Sequence, residues 1–303
     1  MSSGSLLETL QHRLSSAEIS APSVRGVLTR VTGMILSARG VRAPLGAYCE
    51  VMAEEGEGIV CEVVGFRDGE VMLMPLSAVQ GLLPGTAVRV LTLTARVGVG
   101  AGLLGRVVDG LGEPLDGGPA IVPDVFVPLR GERKNPLHRA AITAPLDVGV
   151  RAINTFLTVG RGQRIGLIAG SGVGKSMLLG MMTRFTEADV IVIGMIGERG
   201  REVLDFVHET LGEEGLKRSV VIAAPGDRSP VVRLRATHYS CAVAEYFRDQ
   251  GKNVLLLMDS LTRVAHAQRE VGLAVGEPPT TKGYTPSVFF LINELVERAG
   301  NVS

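Results

Sequence analysis

The sequence predicts an α/β protein with a mostly parallel sheet, preceded by a small N-terminal β-barrel. From residue 164 onward, near-continuous apolar runs alternate with helical patterns, which is typical of strands buried on both faces of a parallel sheet. Between residues 24 and 94, short β-branched runs alternate with Gly and Pro turn signals, as in small barrels. The chain has 303 residues, 46% of them hydrophobic, which excludes a disordered protein.

The patterns divide the chain into three parts. Residues 1–23 are expected to form an amphipathic helix over residues 5–18 and a linker, because Leu7, Leu10 and Leu14 share one helical face. That helix folds back on the core or docks on a partner, and the sequence leaves both open. Residues 24–94 are expected to form the β-barrel, and residues 95–303 the α/β core with an extended connector over residues 117–145.

Strands and helices of the core are predicted individually. The expected strands cover residues 164–169, 190–194, 219–223 and 254–258. The expected helices cover residues 175–185, 201–213, 233–249 and 260–271. Strand and helix therefore follow each other four times, which predicts a doubly wound arrangement.

Charge and cysteine content exclude several classes of partner and of structural site. Lys and Arg number 31 and Asp and Glu also number 31, which argues against a protein held mainly by a nucleic-acid backbone or an acidic membrane. Cys49, Cys61 and Cys241 are too few and too scattered for a disulfide scaffold or a zinc site, and are expected to be buried thiols. The N-terminus has no signal-peptide pattern, so we expect a cytoplasmic protein.

A glycine-rich segment with the spacing of a phosphate-binding loop follows the first expected core strand and opens a helix. The glycines let main-chain N–H groups point at phosphate oxygens, and the helix adds its positive end. Lys175 supplies a charge to the outer phosphates, and Ser176 offers a hydroxyl to Mg²⁺. This predicts a P-loop NTPase core that binds ATP and Mg²⁺. The candidate nucleotide-binding residues are Ala169, Gly170, Ser171, Gly172, Val173, Gly174, Lys175, Ser176 and Met177.

Two carboxylates complete the candidate site. Asp259 ends an apolar strand, at the sheet edge where ligands bind, and is expected to hold Mg²⁺ through water. The alternative is that Asp259 only caps the next helix. Glu198 follows the expected strand over residues 190–194 and could activate the attacking water. The spacing equally allows Glu198 to pair with Arg201 in a solvated loop.

Longer motifs resemble the flagellar protein-export ATPases, which are rotary-type ATPases of the alpha/beta family. The first two motifs are Gly197-Glu198-Arg199-Gly200-Arg201-Glu202-Val203 and Leu257-Met258-Asp259-Ser260-Leu261-Thr262-Arg263. A third is Gly276-Glu277-Pro278-Pro279-Thr280-Thr281-Lys282-Gly283-Tyr284-Thr285-Pro286-Ser287, and a fourth is Leu295-Val296-Glu297-Arg298-Ala299-Gly300-Asn301. The resemblance covers nearly the whole chain, from about residue 27 to residue 301.

The resemblance implies an ATP hydrolase that works as a homohexamer. Lys175, Ser176 and Asp259 would bind phosphate and Mg²⁺, Glu198 would be the catalytic carboxylate, and Arg199 and Arg263 would steady the phosphate region. The loop over residues 276–287 would face the central channel of the ring. The implied partners are a central stalk protein, a cytoplasmic export regulator on the N-terminal helix, the export gate and chaperone–substrate complexes. The implied location is the cytoplasmic face of the cell membrane.

The chain departs from that family at its C-terminal side. The family continues well beyond Ser303 with further strands, an arginine finger and a helical domain, so we expect this chain to lack them and to turn over ATP slowly.

Three alternatives stay open. They are the ATPase of a virulence-type secretion system, a nucleotide-binding subunit with little turnover, and a ring-shaped RNA helicase. With 4% aromatic residues and no Trp, the chain offers little for base stacking, so no nucleic-acid partner is expected.

Overall fold

The computed structural model describes residues 25–52, 57–132, 135, 137, 139–170 and 172–301. The expected helix over residues 5–18 and Ser171 of the phosphate loop lie outside the described residues. Among the residues that the structure does describe, none of the helices is both long and apolar enough to cross a membrane.

Six antiparallel strands close into the expected N-terminal barrel. They are β1 Gly26–Thr32, β2 Ile35–Arg39, β3 Tyr48–Val51, β4 Ile59–Arg67, β5 Glu70–Pro75 and β6 Ala87–Thr92. Their order around the barrel is β1-β2-β5-β4-β3-β6. Leu28, Val63 and Leu73 fill the interior and are almost fully buried, because alternate residues of a strand point to the same side. The barrel prediction is confirmed.

The core is built on a four-stranded parallel sheet of β8 Val107–Val108, β10 Val190–Ile196, β11 Ser219–Ala224 and β12 Val254–Asp259. The order of these strands across the sheet is β12-β10-β11-β8. Every residue of β10 is buried because the strand lies between β11 and β12 with helices on both faces. A separate antiparallel pair joins β7 Arg96–Val99 to β9 Val125–Pro128, and β9 lies within the expected connector.

The helices agree with the predictions in place but differ in extent. They are α1 Arg151–Phe156, α2 Lys175–Phe185, α3 Gly200–Asp205, α4 Gly212–Lys217, α5 Pro230–Asp249, α6 Leu261–Ala274 and α7 Pro286–Arg298. The expected helix over residues 201–213 is instead α3, a π-helical segment Phe206–Leu211 and α4. Helix α5 begins three residues early because Pro230 suits the first helical position. Helices α1 and α7 were not predicted.

The expected strand over residues 164–169 is wrong. These residues adopt no regular strand, and Ile168 is 100% exposed. Strand β12 pairs with β10 along one edge, and residues 164–169 face the same cleft as β12 without a ladder between them. An apolar run becomes a strand only where a neighbour accepts its main-chain hydrogen bonds. In the described part of the chain, no strand does so for residues 164–169.

The barrel packs against the core through a mixed apolar cluster. Met72 and Met74 of β5 contact Val231 of α5 and Val271 of α6. Arg67, at the tip of the barrel, donates a hydrogen bond of 3.0 Å from Nη2 to the carbonyl of Val275 just beyond α6. The barrel is therefore docked on the side of the sheet that α5 and α6 cover.

Candidate nucleotide site

The glycine-rich loop leads directly into helix α2, as the sequence predicts. Gly172 and Gly174 have φ angles of 78° and 92°, in the left-handed region where a side chain is strained. A Cβ atom placed on Gly170, Gly172 or Gly174 would meet no atom within 4 Å. Lys175 is the first residue of the helix, so the positive end of α2 faces the loop. The three glycines therefore border open space.

The end of strand β12 brings a carboxylate to this loop. Lys175 Nζ lies 2.5 Å from Asp259 Oδ1, and the side chain of Asp259 is 7% exposed. Asp259 reaches the loop because β12 ends beside β10 at the carboxyl edge of the sheet, where Met195 and Asp259 are in register. Ser176 is exposed on the next position of α2. The structure therefore places the two predicted residues Lys175 and Asp259 in direct contact.

The described candidate residues, except Val173, line one cleft of about 1480 Å³. Its wall includes Lys175 and Ser176 of α2, together with Asp259 and Arg263. The carboxyl end of β10 adds residues of its own, Glu198, Arg199 and Glu202. The sequence reasoning singled out each of these except Glu202.

Glu198 is held at the cleft by main-chain hydrogen bonds on both sides of it. Gly197 donates from its N–H to the carbonyl of Ala224 at 2.7 Å, and Glu198 accepts from the N–H of Gly226 at 3.1 Å. The Glu198 side chain is 14% exposed, and its Oε1 lies 3.9 Å from Arg263 Nε. The structure thus orients Glu198 towards Arg263 and the cleft. The alternative pairing with Arg201 is wrong, because Arg201 faces Asp205 at 4.0 Å.

The pKa values of two neighbouring carboxyl groups, those of Glu198 and Glu202, are shifted in opposite directions. Burial raises the pKa of Glu198, and a hydrogen bond with Glu202 and the nearby charge of Asp259 raise it further. The same hydrogen bond lowers the pKa of Glu202, whose Oε2 also accepts from the N–H of Arg199 at 3.5 Å. Glu198 is therefore the member of the pair that holds a proton more readily. A carboxyl group with a raised pKa is suited to accept a proton from water.

The sequence did not single out Glu202, because its contact with Glu198 joins the first turn of α3 to the residues before that helix. A Glu three residues after the helix cap returns to the capping residue, and Glu202 has this relation to Arg199. That spacing is visible in the sequence and could have drawn attention to Glu202. Its contact with Glu198 is visible only in the folded chain.

The residues present fit Mg²⁺ with a nucleoside triphosphate. Mg²⁺ prefers oxygen ligands and keeps several waters. The Ser176 hydroxyl and the Asp259 carboxylate are oxygen donors on the same cleft as the glycine cradle. When bound, the ion would neutralise the charge that develops on the phosphates.

Comparison with known proteins identifies the family of the chain. The beta-barrel domain of the ATP synthase alpha/beta family matches residues 28–91, and the nucleotide-binding domain of that family matches residues 149–303. The flagellum-specific ATP synthase of Pseudomonas aeruginosa is 58% identical over 92% of this chain, and that of Salmonella typhimurium is 55% identical over 92%. The chain spans 63% and 64% of the length of those two relatives.

Secretion ATPases are also similar. The type 3 secretion system ATPase of Xanthomonas euvesicatoria is 48% identical over 97% of this chain and 67% of its own length. The assembled ATPase EscN of the enteropathogenic E. coli type III secretion system has a TM-score of 0.83 and 42% identity over 91% of this chain and 66% of its own. The resemblance seen in the sequence motifs is confirmed, and the chain belongs to the ATP synthase alpha/beta family.

Proposed function

We propose that this protein is the ATPase of a flagellar type III protein-export apparatus, which couples ATP hydrolysis to the unfolding and export of substrates. The observation that carries the proposal is the convergence of Lys175, Asp259 and Glu198 on one cleft beside a glycine cradle. Phosphoryl transfer requires charge stabilisation and a positioned water more than covalent chemistry, and these three residue types supply both.

Each residue has a distinct task in the proposed reaction. Lys175 donates to the outer phosphates, and the main-chain N–H groups of the loop hold the others. Ser176 and Asp259 hold Mg²⁺, with Asp259 acting through water. Glu198 orients the attacking water and accepts its proton, for which its raised pKa suits it. Arg199 and Arg263 steady Glu198 and the phosphate region.

The proposed assembly is a homohexamer around a central stalk protein. It draws support from the solved structures of EscN, which describe an assembled ATPase and its complex with the central stalk EscO. We further propose a regulator on the N-terminal helix, contacts with the export gate and chaperone–substrate complexes, and a position at the cytoplasmic face of the membrane. The proposed domain boundaries are residues 24–94 for the barrel and 95–303 for the core.

The second candidate is the ATPase of a virulence-type secretion system. It is favoured by the 48% identity to the Xanthomonas euvesicatoria protein and by the similarity to EscN. Identity to the two flagellar relatives is higher, at 58% and 55%. Deletion of the gene separates the two: loss of flagella with intact effector secretion supports the flagellar function, and the reverse supports the alternative.

Nucleotide binding tests the site directly. Mg-ATP is titrated calorimetrically into the parent chain, Lys175→Ala and Lys217→Ala, which removes an exposed lysine of α4. We expect Lys175→Ala to weaken binding by roughly 1.5–3 kcal/mol, or about 10- to 150-fold, because a charged phosphate contact is lost. Lys217→Ala should bind as the parent does. Equal affinity for Lys175→Ala and the parent would reject the loop as the site.

A further inference from the structure

Arg218 closes the end of α2 that lies away from the phosphate loop. It is half-buried and directly precedes β11. Its guanidinium donates four hydrogen bonds of 2.9 to 3.1 Å to main-chain carbonyls. The acceptors belong to the last turn of α2 and the residues just after it, Thr183, Arg184, Thr186 and Ala188.

This contact satisfies groups that a helix cannot satisfy by itself. The last four carbonyls of an α-helix have no partner within the helix, and they carry its negative partial charge. In the part of the chain that the structure describes, two of the four hydrogen bonds of the Arg218 guanidinium go to such helix carbonyls, those of Thr183 and Arg184, and the other two go to main-chain carbonyls just beyond the helix. A planar guanidinium can meet several acceptors at once, which a lysine ammonium does not reproduce.

Arg218 is itself fixed to the sheet. Its carbonyl accepts a hydrogen bond of 3.0 Å from the N–H of Ile191 in β10, and the next residue, Ser219, begins β11. Residues 164–169, which lead into the phosphate loop, have no ladder to any described strand. On the other side of the loop, Arg218 links the C-terminal end of α2 to the sheet.

We propose that Arg218 is a positioning residue for the nucleotide site, acting through α2 to hold Lys175 and Ser176 at the cleft. The helix has 11 residues and so a length of about 16 Å. A shift or tilt of α2 would displace Lys175 and Ser176, which lie in its first turn, from the cleft. This inference rests on the proposed function.

The experiment compares Mg-ATP binding in the full chain and in three variants. Arg218→Ala removes all four hydrogen bonds, and Arg218→Lys keeps the charge. Arg106→Ala is the matched control, because Arg106 also uses its guanidinium in several hydrogen bonds, to Asp116 and to the carbonyl of Pro119. Those contacts lie on the connector after β8. Affinity is measured by calorimetry at a temperature where circular dichroism shows each variant folded.

We expect Arg218→Ala to bind Mg-ATP about tenfold more weakly, which corresponds to the loss of roughly 1.4 kcal/mol. Arg218→Lys should recover part of that loss, and Arg106→Ala should lower the melting temperature without changing affinity. If Arg218→Ala does not fold, Arg218→Lys should still bind more weakly than Arg106→Ala. Parental affinity in the folded Arg218 variants, or an equal loss in Arg106→Ala, would overturn the inference. A parent chain that binds no Mg-ATP would overturn the proposed function as well.

Discussion

Lys175 Nζ contacts Asp259 Oδ1 at 2.5 Å although 84 residues separate them in the chain. The lysine opens α2 and the aspartate ends β12, so the ion pair joins the phosphate loop to the sheet. The Asp259 side chain is 7% exposed and that of Lys175 is 29% exposed. Without nucleotide, the ammonium group of Lys175 and the carboxylate of Asp259 therefore neutralise each other.

We expect this ion pair to appear as an energetic coupling in the protein without nucleotide. Lys175→Ala leaves the buried Asp259 carboxylate without its partner, whereas adding Asp259→Asn removes the charge that needs it. The two substitutions together should cost less stability than the sum of the single ones, by about 0.5–3 kcal/mol. Urea unfolding of the parent, both single variants and the double variant measures this term. Additive effects would show that the contact contributes nothing to stability.

Glu198→Gln should separate binding from turnover. The amide keeps the size of the side chain but cannot accept a proton from water, and a general base contributes about 10²- to 10⁴-fold to a rate. Phosphate release should fall by that order while Mg-ATP binding stays near the parental value. Glu213→Gln, at an exposed position of α4, is the control for removing one negative charge. Parental turnover in Glu198→Gln would favour the alternative of a site in which Glu198 has no catalytic task.

Glu62 is expected to make the stability of the barrel–core junction depend on pH. It lies opposite Tyr48 in the barrel, and Arg235 of α5 donates a hydrogen bond to the Tyr48 hydroxyl. Burial raises the pKa of the Glu62 carboxyl from 4.5 to about 7, against the opposing charges of Arg130 and Arg235. His238 lines the same small cavity beneath the barrel.

The direction of the effect follows from that raised pKa. The folded protein holds the Glu62 proton more tightly than the unfolded chain, so this contribution to stability is complete below pH 4.5 and is lost as pH rises through about 7. The full difference is roughly 3 kcal/mol. Glu62→Gln, which resembles the protonated form, should match the parent near pH 4.5 and be more stable above pH 7.

Unfolding by urea between about pH 4 and pH 9 measures this difference. Glu57→Gln, at an exposed position of the same barrel, is the matched control for removing one carboxyl group. A constant difference between Glu62→Gln and the parent over the whole range would contradict the prediction. So would an equal pH-dependent change in the control.

The N-terminal segment is predicted to dock a partner without supporting the barrel. Strand β1 begins at Gly26, so deletion of residues 1–20 removes no part of the barrel. We expect the deleted protein to keep the melting temperature of the parent but to lose binding to the export regulator. Substitution of Leu7, Leu10 and Leu14 by Ala should have the same effect, whereas substitution of Gln11, His12 and Arg13 should not. Unchanged regulator binding after the deletion would place the docking surface elsewhere.

Sequence patterns were sufficient to predict those elements whose structure depends on residues close together in the chain. Helix α2 begins at Lys175 because the glycines before it cannot continue a regular element and the residues after it can. The apolar runs that became β10, β11 and β12 were recognisable because both faces of a central strand are buried. The phosphate loop, Glu198 and Asp259 could therefore be proposed from the sequence, each at the end of its element.

The tertiary structure decided which of these parts meet. The sequence determined that residues 164–169 are apolar, but a strand also needs a neighbour for its hydrogen bonds, and the described chain offers none. The pairing of Glu198 with Glu202, the contact of Lys175 with Asp259 and the four hydrogen bonds of Arg218 each join different elements or the two sides of a helix start. Composition and periodicity report the burial of a residue and its secondary structure. They carry no information on distant partners, because those are set by how the elements pack.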